Sequence, residues 1–179
     1  NLLIRNPGIA GMIENWVVRR VDHTLVTIEE SRERLIEKGV SPERVSIVSN
    51  TPVRERFATV PSEQASTPEA RGLTLLYIGL LGYSRGLDTV LRAAKRYAQN
   101  NPDFRFLVVG SGKAENHLKS LAADLGLDTS VNFLGWVDNQ HIPELIAQSD
   151  ACIVPHYSCG HWDHTIPNKL FDYMASGKP

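Results

Sequence analysis

The second half of the chain alternates between short apolar runs rich in β-branched residues and longer segments with helical periodicity. Four apolar runs predict strands: "LTLLYIG", "FRFLVVG", "SVNFLGWV" and "ACIVP". Two intervening segments place apolar residues on one helical face, Leu87, Val90, Leu91 and Ala94 in the first and Leu118, Leu121, Ala122 and Leu125 in the second. A short helix, "HIPELIAQS", precedes the fourth strand. This alternation predicts an α/β, Rossmann-like domain with a parallel sheet flanked by helices.

The first 57 residues follow a different pattern and indicate the end of another domain. "HTLVTI" and "RVSIVSN" predict strands on either side of a helix, "EESRERLIEKG". Residues 58–70 are small, polar and proline-containing, which is typical of a linker. We therefore expect a domain end and junction over 1–57, a linker over 58–70 and the Rossmann-like domain over 71–179, incomplete at its C-terminus.

Composition narrows the classes of partner. Apolar residues make up 42% of the chain, which suffices for a packed core, and the net charge of -1 gives no reason to expect nucleic acid. Cys152 and Cys159 are too few for a disulfide framework, so a reducing compartment is expected. The chain opens on Asn1 and closes on "ASGKP", which we interpret as a fragment of a longer protein, here called the parent protein.

Two glycine-containing loops follow predicted strands, where ligands of open parallel sheets gather. In "GLLGYSRG", Gly79 and Gly82 permit close approach of a ligand, and Arg85 precedes a helix whose N-terminus favours anions. The spacing is neither a dinucleotide fingerprint nor a Walker loop, so an ordinary turn is an equal interpretation. The loop "VVGSGK", with Gly110 and Gly112, is a weaker candidate of the same kind.

The segment "TIPNKLFDYMASGKP" predicts a helix over about 167–176, because Pro167 suits the first turn and Gly177 the position past the end. Its apolar residues predict a buried stripe of Leu170, Phe171 and Met174. Asn168, Lys169, Asp172 and Ser176 are then expected on the other faces.

Lys169 and Asp172 lie one turn apart on this helix and allow two interpretations. As a surface ion pair they would add a few tenths of a kcal/mol. Alternatively, Lys169 and the helix N-terminus bind a diphosphate while the Asp172 carboxylate accepts hydrogen bonds from a ribose diol.

A cluster of metal-ligand types precedes that helix within "PHYSCGHWDHTIPNK": His156, Cys159, His161, Asp163 and His164. Imidazole and thiolate suit zinc, and the spacing of two to four residues is usual. No second cluster supplies the remaining ligands, so a metal site is the minor interpretation.

The order of motifs resembles the group 1 (family 4-like) retaining glycosyltransferases of the GT-B fold. The resemblance rests on "VTIEESRERLIEKGVSPERVSIVSNTPVRERF", "LYIGLLGYSRGLDTVLRAA", "FLVVGSG", "VNFLGWV", "SDACIVPH" and "KLFDYMASGKP". Each match is weak alone, but six in the family's order cover nearly the whole chain.

The resemblance implies roles for specific residues, and the sequence departs from the family pattern at two positions, Leu80 and His164. The family's phosphate-binding basic pair falls on Leu80 and Arg85, so only one charge is kept, and Lys169 matches a lysine of members that carry a "p.K.fE" variant. The family's two glutamates fall on His164 and Asp172, which are the candidate catalytic residues.

The resemblance further implies that the parent protein transfers a sugar, of the hexosyl type, from a UDP- or GDP-sugar with retention of configuration. Trp136 and Val137 follow the third strand where the base is expected, and no metal or other cofactor is implied. The acceptor is a sugar, lipid-linked or small molecule bound by an upstream domain, so the fragment alone is expected to be inactive. A bacterial origin, polysaccharide biosynthesis and a cytoplasmic location with peripheral membrane association are further expectations. A nucleotide-binding domain without transfer activity remains an alternative, because Leu80 and His164 depart from the pattern.

Overall fold

The computed structural model describes residues 6–53, 55–58, 72–158 and 165–179. Over these residues the chain forms two compact units. The first comprises the residues up to Asn50 together with 165–166, and the second comprises the residues from Thr51 onward, including Pro167–Pro179. The short helix near residue 56 belongs to the second unit, and the predicted domain boundaries stay a prediction. The predicted linker, 58–70, lies almost wholly outside the described residues.

The first unit contains two helices and a two-stranded parallel sheet. Helix α1 spans Pro7–Val18, strand β1 Thr24–Val26, helix α2 Glu29–Glu37 and strand β2 Val45–Ile47. The strands pair with Thr24 opposite Val45, and the core is formed by Val18, Leu35, Val40 and Val45. The strands and α2 confirm the predicted elements. Helix α1 was not predicted.

The second unit is a four-stranded parallel sheet flanked by helices, as the sequence predicts. Its elements are α3 (Glu55–Ala58), β3 (Thr74–Ile78), α4 (Leu87–Ala98), β4 (Arg105–Val109), α5 (Glu115–Asp124), β5 (Val131–Gly135), α6 (Ile142–Ala147), β6 (Ala151–Cys152) and α7 (Asn168–Ala175). The strands lie in the order β5-β4-β3-β6. The fourth strand is shorter than the run "ACIVP" suggests, since only Leu75 and Leu76 pair with it.

Both faces of this sheet are covered, which explains the nearly continuous apolar runs of β3 and β4. On one face, Tyr77, Phe106 and Val108 pack with the apolar stripes of α4 and α5, as the helical spacing predicts. On the other face, Leu76 and Val109 pack with α6 and α7. None of the helices in the described ranges is long and apolar enough to cross a membrane.

Candidate functional site at the edge of the sheet

The strand order creates a crevice at the carboxyl ends of β3 and β6. The chain proceeds from β3 outward to β5 and then returns to β6 on the opposite side of β3. The loops that follow β3 and β6 therefore leave the sheet in different directions, and ligands of doubly wound folds bind at such a switch point. Here those loops carry Arg85 and His156, and α7 brings Lys169 to the same place.

Lys169 lies in the first turn of α7, and its side chain is directed into the protein. Its Nζ atom is buried and has no hydrogen-bond partner among the residues that the structure describes. The ammonium lies 4.0 Å from the centroid of the Tyr77 ring, where a cation–π interaction partly compensates for lost water. Burial, together with the nearby Arg85 guanidinium, lowers the pKa of Lys169 from 10.5 to about 7.

Gly79 provides the space that the Lys169 amine occupies. A Cβ atom at this position would lie 2.6 Å from Nζ, which is closer than atoms approach without displacement. Gly79, which the sequence predicts to permit close approach of a ligand, permits close approach of the Lys169 amine in the structure. Gly82 is different, because the atom nearest to an added Cβ is Arg85 Cγ at 3.6 Å, an ordinary contact.

Arg85 and His156 form a direct contact across the crevice. Arg85 Nη1 lies 2.9 Å from His156 Nε2. Burial lowers the pKa of His156 to about 4, and the nearby charges of Lys169 and Arg85 act in the same direction. The site therefore contains two basic side chains and one neutral imidazole. This combination favours the binding of an anion.

The segment that carries His156 is fixed against the start of α4. Gly86 adopts φ 70°, and an added Cβ there would overlap the Pro155 carbonyl oxygen. On the other side, the Tyr157 N–H donates to the Ser84 carbonyl at 3.3 Å. The Tyr157 hydroxyl donates to the Asp88 carboxylate at 2.7 Å. The loops after β3 and β6 are thus joined before and after His156.

Gly110 and Gly112 allow two neighbouring loops to pack closely. An added Cβ would overlap the Gly79 carbonyl oxygen at the first position and the Leu81 carbonyl oxygen at the second. Backbone hydrogen bonds join the same loops, including Leu81 N–H to the Ser111 carbonyl at 2.9 Å. The described structure thus gives both glycines a packing role, and their predicted contact with a ligand stays a prediction.

The buried face of α7 differs from the predicted one. Leu170 is 37% exposed and Met174 is 66% exposed, whereas Tyr173 is only 2% exposed. The predicted stripe is therefore wrong at Leu170 and Met174, and its third member, Phe171, is half-buried. The reason is that the Tyr173 hydroxyl accepts a hydrogen bond from the Ile78 N–H at 3.0 Å, which fixes this face against β3. Lys169 lies one turn earlier on the same inward side, because residues i and i+4 share a face.

Asp172 also lies on α7, half-buried. Burial raises the pKa of its carboxyl group, and the Arg56 guanidinium of α3 opposes this shift. Asp172 is not paired with Lys169 in the described ion pairs, so the surface-pair interpretation is not supported.

The remaining predicted residues have diverse environments. Trp136, directly after β5, is 75% exposed, and Val137 packs partly into the core beside α6. Leu80 is exposed, and its carbonyl accepts a hydrogen bond from the Tyr77 hydroxyl at 2.9 Å. His164 lies outside the described residues.

The proposed metal cluster is only partly described. Cys159, His161, Asp163 and His164 fall outside the described residues, and within the described part of the chain no group of metal-ligand side chains occurs. His156 directs one ring nitrogen to a guanidinium and lies near a second basic group. This environment disfavours a cation at His156.

Sequence reasoning overlooked two residues that shape the site. Tyr77 and Tyr173 lie beneath the crevice, the first in contact with Lys169 and the second hydrogen-bonded to β3. Tyr77 is the last but one residue of β3, and this position near the end of the apolar run is a signal that it reaches the carboxyl edge.

The parallel sheet flanked by helices places the second unit in the class of GT-B C-terminal domains. Anabaena HepE in complex with UDP superposes with a TM-score of 0.77 at 18% identity, over 98% of this chain and 48% of that one. Sucrose-phosphate synthase from Thermosynechococcus elongatus gives 0.73 at 17% identity, over all of this chain and 45% of that one.

Residues 72–179 match the family "Glycosyl transferases group 1", and the chain belongs to that family. It is 30% identical over 160 residues to D-inositol 3-phosphate glycosyltransferase 2 of Catenulispora acidiphila, covering 81% of this chain and 37% of the relative. It is 24% identical over 159 residues to 2-deoxystreptamine glucosyltransferase of Streptomyces kanamyceticus, covering 85% and 41%. The chain thus spans less than half the length of these relatives.

Proposed function

We propose that the crevice at β3 and β6 binds the diphosphate of a nucleotide-sugar donor, and that the parent protein transfers the sugar to an acceptor with retention of configuration. The observation that carries this proposal is the buried Lys169 amine, which has no hydrogen-bond partner among the described residues and lies near Arg85. Two basic groups so close together destabilise the empty site, and a bound dianion removes that penalty.

Each candidate residue then has a distinct role. Lys169 and Arg85 bind the diphosphate, and the positive end of the α7 dipole adds to the attraction. The Asp172 carboxylate accepts hydrogen bonds from the ribose hydroxyls. Exposed Trp136 provides a surface for the base, with Val137 beside it.

The chemistry requires positioning and charge stabilisation more than a protein nucleophile. The bond between the anomeric carbon and the diphosphate oxygen breaks while the acceptor oxygen attacks from the same face. The acceptor proton passes to the departing phosphate, and the two basic side chains stabilise the negative charge that develops there. His164, in the family position of a glutamate, is proposed to face the sugar.

Relatives support the donor class. HepE has been crystallised with UDP and with UDP-glucose, and the curated relatives include glycosyltransferases of several acceptors. Relatives of this kind also include a putative colanic acid biosynthesis glycosyl transferase of Escherichia coli. We therefore propose a hexosyl donor, a carbohydrate or lipid-linked acceptor and a cytoplasmic location near the membrane.

Calorimetric titration of the complete parent protein with UDP and GDP tests the proposal. Lys169→Ala and Arg85→Ala should each weaken binding of the preferred nucleotide by about 10- to 150-fold, because charge-assisted contacts contribute about 1.5–3 kcal/mol. Arg92→Ala and Lys119→Ala, at exposed positions of α4 and α5, are matched controls and should leave affinity unchanged. Unchanged affinity in both site variants would refute the assignment.

A further inference from the structure

His156 differs from the other site residues because it contacts Arg85, one of the side chains proposed to bind the phosphate. No contact between His156 and the phosphate itself is proposed. Its Nε2 atom lies 2.9 Å from Arg85 Nη1. A guanidinium has only donors, so Nε2 accepts this hydrogen bond and the ring proton resides on Nδ1. The contact therefore requires the neutral imidazole and one particular tautomer.

The surroundings keep the imidazole in that state. Partial burial opposes a charge on His156, and the basic side chains of Lys169 and Arg85 act in the same direction. The ring thus remains a hydrogen-bond acceptor throughout the physiological pH range, which is unusual for histidine.

The backbone on either side of His156 is held independently of its ring. Pro155 packs against Gly86, and Tyr157 is bound to Ser84 and Asp88. These contacts join the segment to the turn that carries Arg85, at residues 83–85. The ring and the guanidinium are therefore presented to each other by two segments with a fixed relative position.

We infer that His156 is a positioning residue that orients the Arg85 guanidinium toward the diphosphate of the donor. The inference rests on the proposed function, because it assigns no direct contact between His156 and the ligand. The hydrogen bond from Arg85 Nη1 to the ring fixes the orientation in which the guanidinium meets the phosphate oxygens. The sequence placed His156 in a candidate metal cluster, and nothing in the family match assigns it this role.

Binding of UDP, or of GDP if that nucleotide is preferred, tests the inference in the complete parent protein. His156→Leu removes the acceptor at similar size and should weaken nucleotide binding by about tenfold, as expected for a lost charge-assisted hydrogen bond. His156→Gln retains an acceptor and should remain within about threefold of wild type. Affinity for the nucleoside without phosphates should not change in either variant.

The decisive comparison uses Arg85→Ala as a second background. A residue that acts through Arg85 has no further effect once Arg85 is removed, so His156→Leu should change affinity there by less than about twofold. An equal loss in both backgrounds would overturn the inference and leave the proposed function intact. Failure of the wild type to bind either nucleotide would overturn both. If His156→Leu does not fold, His156→Ala serves in the same comparison, because the contacts of residues 155 and 157 remain.

Discussion

Raising the pH above 7 should weaken binding of a nucleoside diphosphate, because Lys169 loses its proton in the empty site. Burial, with a further contribution from Arg85, lowers the pKa of the Lys169 amine to about 7. A bound diphosphate favours the charged form and raises that pKa again. Binding must therefore take up a proton above pH 7, and affinity falls by up to about tenfold for each further pH unit.

The magnitude follows from the pKa of about 7. At pH 8.5 about one empty site in 30 is protonated, so a ligand that needs the ammonium binds about 30-fold more weakly, or about 2 kcal/mol. At pH 7.5 binding should take up about three-quarters of a proton. Folding stability changes in the opposite direction. The unfolded chain binds the extra proton between pH 7 and 10.5, so the Lys169 contribution to stability increases with pH across that window.

Calorimetry in buffers of different ionisation enthalpy measures the proton uptake directly. Lys169→Arg is the matched control, since a guanidinium stays charged throughout and should abolish the uptake. Measurements between pH 7 and 9 avoid most of the titration of the ligand's own terminal phosphate near pH 6. An affinity that is constant between pH 7 and 9, or equal uptake by wild type and Lys169→Arg, would refute the reasoning.

Five further variants test the packing of the site and of the fold. Gly79→Ala should displace the lysine amine and weaken nucleotide binding by about tenfold, whereas Gly82→Ala should not; equal affinities in calorimetry would contradict this. Tyr173→Phe removes the acceptor of a β3 N–H and should lower the free energy of unfolding by about 1–3 kcal/mol, and an unchanged denaturation midpoint would count against it. Gly110→Ala should destabilise the fold because a Cβ overlaps backbone there. Gly11→Ala, in open space within α1, should stabilise it by about 0.5–1 kcal/mol, and melting temperatures that move in the same direction would reject this contrast.

The sequence predicted the second unit well because its signals are periodic. Leu87, Leu91 and Ala94 repeat at helical spacing and are buried as expected. The strands β3 and β4 are apolar on both faces, which is the pattern of a covered parallel sheet. Order along the chain then determines which loops meet at the carboxyl edge.

Helix α1 escaped prediction for an identifiable reason. It contains Gly8 and Gly11, which disfavour helix, and its apolar residues Ile9, Met12 and Trp16 are exposed in the structure. The pattern therefore lacked both a strong propensity and a distinct polar face.

The inward face of α7 was predicted wrongly because apolar character was used as the guide to burial. Leu170 and Met174 are the apolar choices, yet Lys169 and Tyr173 lie inward. Long amphipathic side chains bury their apolar stems or rings and place the polar end near a hydrogen-bonding or charged group. Periodicity cannot detect that preference, nor could it pair His156 with Arg85, which are 71 residues apart in the chain.

A crystal structure of the complete parent protein with its preferred nucleotide diphosphate tests the central claim most directly. We predict phosphate oxygens within about 2.7–2.9 Å of Lys169 Nζ and of Arg85, the normal length of a charge-assisted hydrogen bond. A nucleotide bound elsewhere, with the Lys169 amine still buried against Tyr77 and out of contact with phosphate, would contradict the assignment of this crevice.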